Sequence, residues 1–292
     1  MMNVNIISLI ENNIDYIVNE CVFQIKHSEE YNSYIEEQRT ALWKRLDKEA
    51  QKYEKKFIIT LKDLFEEQKK EVLANLKRSR KSYITKQNVD TYMFGKKTWE
   101  KRFKKEGENF YKGTIIDYGD RAFDEFDVIG LTFDIYNPEV SKFIEENGLF
   151  FGKNTMDTAY EDLKKTFIEG LEAGEGIPEL SKRVNNVYSG YIDGKMWKAA
   201  RIAQTETIKS VNFGTFVGYK QSGVVKKKEW VATRSDWEHV RDTHKEMDGV
   251  DIELNEPFVL PDGDKMMYPG DTSLKASSEN TINDRCRIVG NT

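Results

Sequence analysis

Within ten residues, His239, Arg241, His244 and Asp248 bring two imidazoles, a guanidinium and a carboxylate together. An imidazole beside a guanidinium is a pair that moves a proton and steadies developing phosphate charge, the chemistry of RNA or DNA cleavage. If 241–244 is helical, the three-residue spacing sets Arg241 and His244 on one side. The same residues have a non-catalytic use, as hydrogen-bonding anchors for irregular loops, with Glu206 as an ion-pair partner for Arg241. We favour that use. The stretch 230–286 alternates polar groups with turn residues such as Asp248-Gly249 and Pro269-Gly270-Asp271, and no long amphipathic run explains it. The chain is therefore expected to be a non-enzyme without catalytic residues, a nuclease or toxin-like enzyme using His244 and Arg241 being the alternative.

Metal and cofactor chemistry finds less support. Cys286 with His244 supplies too few soft ligands for a structural zinc site unless acids complete the set. Asp248-Gly-Val-Asp251 and Asp262-Gly-Asp264 do not reproduce a calcium-loop spacing. There is no phosphate-binding Gly-Lys-Ser/Thr loop, no Gly-x-Gly-x-x-Gly and no Gly-x-Ser-x-Gly. Neither a metal nor a cofactor is expected.

A second functional signal lies upstream. Between 69 and 105 stand thirteen basic residues, Lys69, Lys70, Lys77, Arg78, Arg80, Lys81, Lys86, Lys96, Lys97, Lys101, Arg102, Lys104 and Lys105, against the acids Glu71, Asp90 and Glu100. That local charge of +10 sits in a chain whose total is −5. Tyr83, Tyr92, Phe94, Trp99 and Phe103 are interleaved, and cations that pair with phosphate beside aromatic faces suit non-specific contact with double-stranded DNA. The competing reading is a solvated helix face whose aromatics are core.

The elements that carry these residues are mostly helices. The first ninety-four residues hold neither Gly nor Pro, so nothing there stops a helix. From Ser28 to about Ser82, Ile35, Leu42, Leu46, Tyr53, Phe57, Leu61, Leu64, Val72 and Leu76 recur mostly at three, four or seven residues, which is helix periodicity. About fifty-five helical residues would span roughly 80 Å; such a rod packs as a hairpin within the chain, against a second copy, or on a larger assembly. Asn137-Pro138 caps a short helix over 139–146, since Asn is a good cap and Pro suits the first turn. Further helices are expected over 156–170, over 178–188 and, the longest of this half, over 195–218, ended by Ser222-Gly223. Strand signals come only afterwards, at 224–225, 229–233 and 251–259, with a turn at Pro261-Asp262-Gly263-Asp264. The fold class is thus α+β and predominantly α-helical: long N-terminal helices (1–112, with the basic window 69–105), a linker (113–133), and a domain (134–292) with a helical part (134–223) and a small helix-plus-antiparallel-hairpin part (224–292).

Composition agrees. The chain has 292 residues, 33% charged and 38% hydrophobic, enough for two domains with much exposed helix surface. No apolar run approaches the roughly 20 residues of a spanning helix. The opening Met1–Ile10 is apolar but lacks a basic leader and a cleavage site, so it does not read as a signal peptide. Only Cys21 and Cys286 are present, which gives no disulfide framework.

Three groups of residues carry a family resemblance: Arg201, Thr205 and Glu206 in a helix opening; Trp230, then Asp236, Arg241 to His244 and Met247-Asp248-Gly249; and Tyr268-Pro-Gly270-Asp271 followed by Asn283, Arg285 and Cys286. In this order and spacing they resemble the phage minor head proteins, also called the phage Mu F-like or head morphogenesis family. With the helical lead-in from about Asp134, the resemblance covers about half the chain. There are departures. Relatives commonly end Asn-Cys-Arg-Cys; here Asp284 takes the first cysteine position, which removes most of the case for zinc. Asp236 lies one place further from His244 than the family acid, with Trp237 between, and Thr272 follows Asp271 where Pro is frequent.

The resemblance implies a minor capsid protein of a tailed phage or prophage, present in a few copies per particle. It implies a place inside the head near the portal, reached from the host cytoplasm during assembly. It also implies a role in head morphogenesis and in accompanying DNA during packaging or ejection. The implied partners are the portal protein and a scaffold or capsid protein, with no membrane. The residues add DNA through the basic window and self-association through the N-terminal helices. A helical adaptor without a nucleic-acid role is the remaining alternative.

Overall fold

The computed structural model describes residues 29–78, 84–193 and 197–292. Cys21, the opening apolar stretch and Arg80, Lys81 and Tyr83 of the basic window lie outside the described residues. The chain divides into two compact units, Met1–Leu46 and Asp47–Thr292. In the first, residues 29–46 are helical. No described helix is long and apolar enough to cross a membrane.

The long helix expected at the N-terminus is α1 (Glu29–Arg78). From Asp47 onward its stripe Phe57, Leu61, Leu64, Phe65, Val72 and Leu76 is buried, and it is buried by the chain's own helices. Phe57 stacks on Phe110 at 4.0 Å, and Phe65 meets Phe103 at 5.0 Å and Tyr191 at 4.4 Å. The polar Gln68 within this stripe accepts the hydroxyl of Tyr188 at 2.9 Å, which offsets the cost of burying an amide.

Four helices follow: α2 (Lys96–Asp124), α3 (Pro138–Glu172), α4 (Ile177–Ile192) and α5 (Trp197–Ser222). Asn137 caps α3 as expected, its side-chain oxygen accepting the amide of Glu139 at 2.8 Å with Pro138 in the first turn. Two expectations need correction here. The sequence reads as two helices, 139–146 and 156–170, yet α3 is continuous, because the glycines between them are contact points rather than breaks. A Cβ at Gly152 would lie 2.6 Å from the Glu100 carbonyl oxygen, so its absence lets α2 and α3 touch backbone to backbone. At 35 residues α3 is also longer than α5, which has 26.

The linker expected at 113–133 is another correction. α2 runs to Asp124 and buries Thr114, Ile115, Tyr118, Ala122 and Phe123, so its second half is core rather than connection. The aromatic and acidic residues there alternate as inner and outer helix faces. That segment falls within the second compact unit, whose boundary is at Leu46–Asp47.

Two large apolar cores share the helices, with a smaller third cluster of Ala50, Tyr118, Ile208 and Val211. One gathers α1, the first half of α2, the middle of α3 and α4. The other gathers the second half of α2, the start of α3, the second half of α5 and the C-terminal strands. Those strands are β1 (Lys227–Val231), β2 (Asp251–Glu253), β3 (Phe258–Val259), β4 (Lys265–Met266) and β5 (Arg287–Asn291), with two short helices, α6 (Asp242–Glu246) and α7 (Ser278–Thr281). An antiparallel sheet has the order β2-β1-β5, and β3-β4 form a separate hairpin. In the register Trp230 faces Ile288 and Lys228 faces Gly290 and Ile252. The α+β, mostly helical class holds, and the 251–259 strand resolves into two short ones.

Candidate functional site

Arg241 and His244, the proton-transfer pair of the alternative nuclease reading, part company in the fold. Arg241 precedes α6 and is half-buried, donating to the Ile282 carbonyl at 2.5 Å. His244, three residues on, points inward with its side chain 1% exposed. Its Nδ1 lies 3.3 Å from Asp284 Oδ1 and 3.4 Å from Cys286 Sγ. These three form a His/Asp/Cys cluster whose ligand-type atoms all lie within 4.8 Å of one another, every member buried. Trp230 closes the site, its ring edge-on to His244 at 5.3 Å and to Phe258 at 5.3 Å. His239, the second imidazole, is on the surface beside Asp236, with Nδ1 to Oδ1 at 2.9 Å.

Electrostatics inside the cluster follow from burial. Burial alone would raise the Asp284 carboxyl, yet His244 beside it and hydrogen bonds from Cys286 hold it below the usual carboxylate range. Its Oδ1 accepts the amides of Arg285 at 2.7 Å and Cys286 at 2.9 Å. Burial, and then the Asp284 charge, push the Cys286 thiol up. The sequence reading discounted this cluster, because it counted Asp284 as a lost cysteine rather than as a ligand in its own right.

Most other motif residues hold loops. Asp248 accepts the Ala232 amide at 2.8 Å and the Arg234 guanidinium at 2.6 Å, the latter a nearly buried pair. Gly249 has φ +80°, and its amide reaches the Trp230 carbonyl at 2.8 Å, so the Asp-Gly turn is sewn onto β1. Asp271 accepts the amides of Met267 at 2.9 Å and Ser273 at 2.7 Å. Gly270, at φ +83°, lets that loop lie against the α5 backbone at Lys209. Thr205 accepts the Asn283 amide at 3.1 Å. Arg285 reaches Asp47 at 3.0 Å, Glu54 at 3.1 Å and Gln204 at 2.9 Å, tying the last strand's approach to α1 and α5.

Glu206 is not the partner of Arg241. It pairs with Lys209 at 2.9 Å and accepts the Tyr111 hydroxyl at 2.7 Å, all within the core. The reason is helical spacing: Lys209 stands three residues along the same helix. Two residues escaped the sequence reading. Asn212 donates to both the Pro269 carbonyl at 2.9 Å and the Cys286 carbonyl at 3.0 Å, stapling two loops to α5. Arg234 fixes Asp248 and stacks over Trp237 at 4.5 Å. A lone Asn amid apolar helix residues is the signal that would have found the first.

A cleft of about 980 Å³ opens between α3, α5 and the 267–282 loop. Phe143, Phe213 and Phe216 line it together with Arg201, Thr205, Glu206 and Asp271, so two motif groups meet there. Its lining is of mixed sign, with Glu139, Lys142 and Lys198.

In the basic window the structure separates paired from free cations. Lys69 pairs with Glu66, Lys86 with Glu172, Lys96 with Asp157, Arg102 with Glu67 and Lys104 with Glu108. Lys70, Lys77, Arg78, Lys97, Lys101 and Lys105 are exposed. Lys97, Lys101 and Lys105 recur every four residues on α2, a row of about 12 Å on one helix face. The interleaved aromatics are no stacking platform: Phe94, Trp99 and Phe103 are buried in the first core, and Tyr92 packs against it.

The comparisons with known proteins place this geometry. Residues 161–289 match the family model described as phage Mu protein F like protein. That span holds all three motif groups, the cluster and most of the cleft. Over 107 residues the chain is 30% identical to the NAD(+)–arginine ADP-ribosyltransferase EFV of Enterococcus faecalis (strain ATCC 700802 / V583), covering 36% of this chain and 21% of that protein. Over 195 residues it is 22% identical to the uncharacterized protein YqbB of Bacillus subtilis (strain 168), covering 66% of this chain and 62% of that one. The chain thus spans about a fifth and about three fifths of the lengths of these relatives. No solved structure matches. Through residues 161–289, a little under half of its length, the chain is similar to the phage Mu protein F-like family.

Proposed function

We propose that this protein is a minor head component of a tailed phage or prophage that works beside the portal, without catalysis, and contacts DNA through α2. The family match over 161–289 carries the head assignment. The non-catalytic reading rests on His244: a side chain 1% exposed does not meet a nucleic-acid phosphate, and Arg241 is bound to the Ile282 carbonyl. Loss of nucleic-acid cleavage in His244→Ala with an unchanged melting temperature would contradict it. The partial match to an ADP-ribosyltransferase covers 21% of that protein and carries no activity to this chain.

The DNA reading rests on the row Lys97, Lys101 and Lys105, exposed cations with no ion pair among the described residues. Because the neighbouring aromatics are core, phosphate contact rather than base stacking supplies the affinity. Binding of a random-sequence duplex is then independent of sequence and falls steeply with salt, each neutralised phosphate adding about 0.9 to the logarithmic slope. The triple variant Lys97→Gln, Lys101→Gln, Lys105→Gln lowers that slope by about 3. Binding that ignores salt, or an unchanged slope in the variant, assigns the row to an acidic protein surface instead. Capture of the portal protein of the same phage tests the remaining partner assignment.

A further inference from the structure

We propose that His244, Asp284 and Cys286 form a binding site for one zinc-type divalent cation in the core of the C-terminal module, with a structural role. Three observations carry this. The first is donor chemistry: an imidazole, a carboxylate and a thiol are the three side-chain types that ligate zinc, and their donor atoms converge within 4.8 Å.

The second is distance. His244 Nδ1 stands 3.3 Å from Asp284 Oδ1, longer than the about 2.7–2.9 Å of a charge-assisted N–H···O bond, and 3.4 Å from Cys286 Sγ, an N–H···S hydrogen-bond distance. Around a tetrahedral zinc with bonds of about 2.0–2.3 Å, neighbouring ligand atoms are separated by about 3.3–3.6 Å. The two His244 separations match such ligand edges.

The third is an unfilled demand. Asp284 Oδ2 is buried without a hydrogen-bond partner, although a buried carboxylate oxygen ordinarily finds one. With both oxygens engaged, three residues supply four donor atoms: Nδ1, Sγ, Oδ1 and Oδ2. The cation would join α6 to the turn before β5 at one point, a cross-link beside strands only a few residues long.

The test uses the full chain. Elemental analysis of protein grown with zinc is expected to give about one zinc per chain, and chelation to lower the melting temperature by more than about 5 °C. Cobalt(II) added to the stripped protein is expected to give visible tetrahedral bands and a thiolate-to-cobalt charge-transfer band. Cys286→Ser removes that band, while Cys21→Ser and His239→Ala keep it, which separates the cluster from the other thiol and from the exposed imidazole. Should Cys286→Ser fail to fold, the wild-type titration decides alone. No zinc, no band and no shift in melting temperature would overturn the site, as would a band that persists in folded Cys286→Ser.

Discussion

Lys228 places its amine over the rings of Phe216 at 4.7 Å and Phe258 at 5.3 Å, fully buried and without a hydrogen-bond partner. Burial pushes its pKa down to about 7. The unfolded chain holds that proton up to the ordinary lysine range near 10.4, so between about 7 and 10.4 it binds more protons than the folded chain and stability rises with pH. Below about 7 the contribution is flat. Lys228→Met is expected to stabilise by on the order of 1–4 kcal/mol near pH 7 and to flatten the slope, as read by urea melts at pH 7 and pH 9.5. An equally steep slope in the variant would show that another group titrates. The Glu206–Lys209 pair behaves oppositely: Glu206→Ala leaves the Lys209 cation buried, with an expected loss of about 3–5 kcal/mol in the same melts. At this scale the sequence was legible in identity but not in partnership. It marked Glu206, Arg241 and His244 as polar anchors, and in the fold they meet Lys209 and Tyr111, the Ile282 carbonyl, and Asp284 with Cys286. Which group each meets depends on long-range approach: Cys286 is forty-two positions from His244, and Ile282 forty-one from Arg241.

Among the elements, the helices were legible because each carries its own period, and α1 and the Asn137-Pro138 start of α3 stand near where the sequence sets them. The misreadings came from glycine and from short strands. Glycine reads as a break, but Gly148 and Gly152 of α3 are where α2 approaches, and Gly107 of α2 faces the Phe151 ring. Gly152→Ala is therefore expected to cost about 1–3 kcal/mol, since its Cβ would press on backbone atoms. Gly113→Ala, in α2 with nothing within 4 Å, is expected to stabilise by about 0.5–1 kcal/mol. Chemical denaturation of both variants checks the contrast, and equal effects would contradict the crossing geometry. β5 went unread because its five residues, Arg-Ile-Val-Gly-Asn, gain their stability from pairing with β1 far away in sequence. The same limit applies to the basic window: sequence counted thirteen cations, and only packing shows that five are held by acids and that Lys97, Lys101 and Lys105 form the free row.

On the scale of the whole molecule, residues 47–292 form one compact unit in which the helices carry a C-terminal module held by side-chain-to-backbone hydrogen bonds. Asn212, Asp248 and Arg285 tie its loops to α5, β1 and α1, Asp271 holds its own loop together, and the phage Mu protein F-like family model spans nearly all of the module together with the helices from residue 161 onward. The free lysines of α2 lie upstream of the matched span, so DNA contact, if it resides there, is a property of the lead-in rather than of the module. The central claim is a place in the phage head, and mass spectrometry of gradient-purified heads from the phage or prophage that encodes the protein tests it most directly. The expected result is this chain in the heads at a few copies per particle, retained with the portal protein when the shells are disrupted. Heads that are complete and infectious without it would contradict the claim.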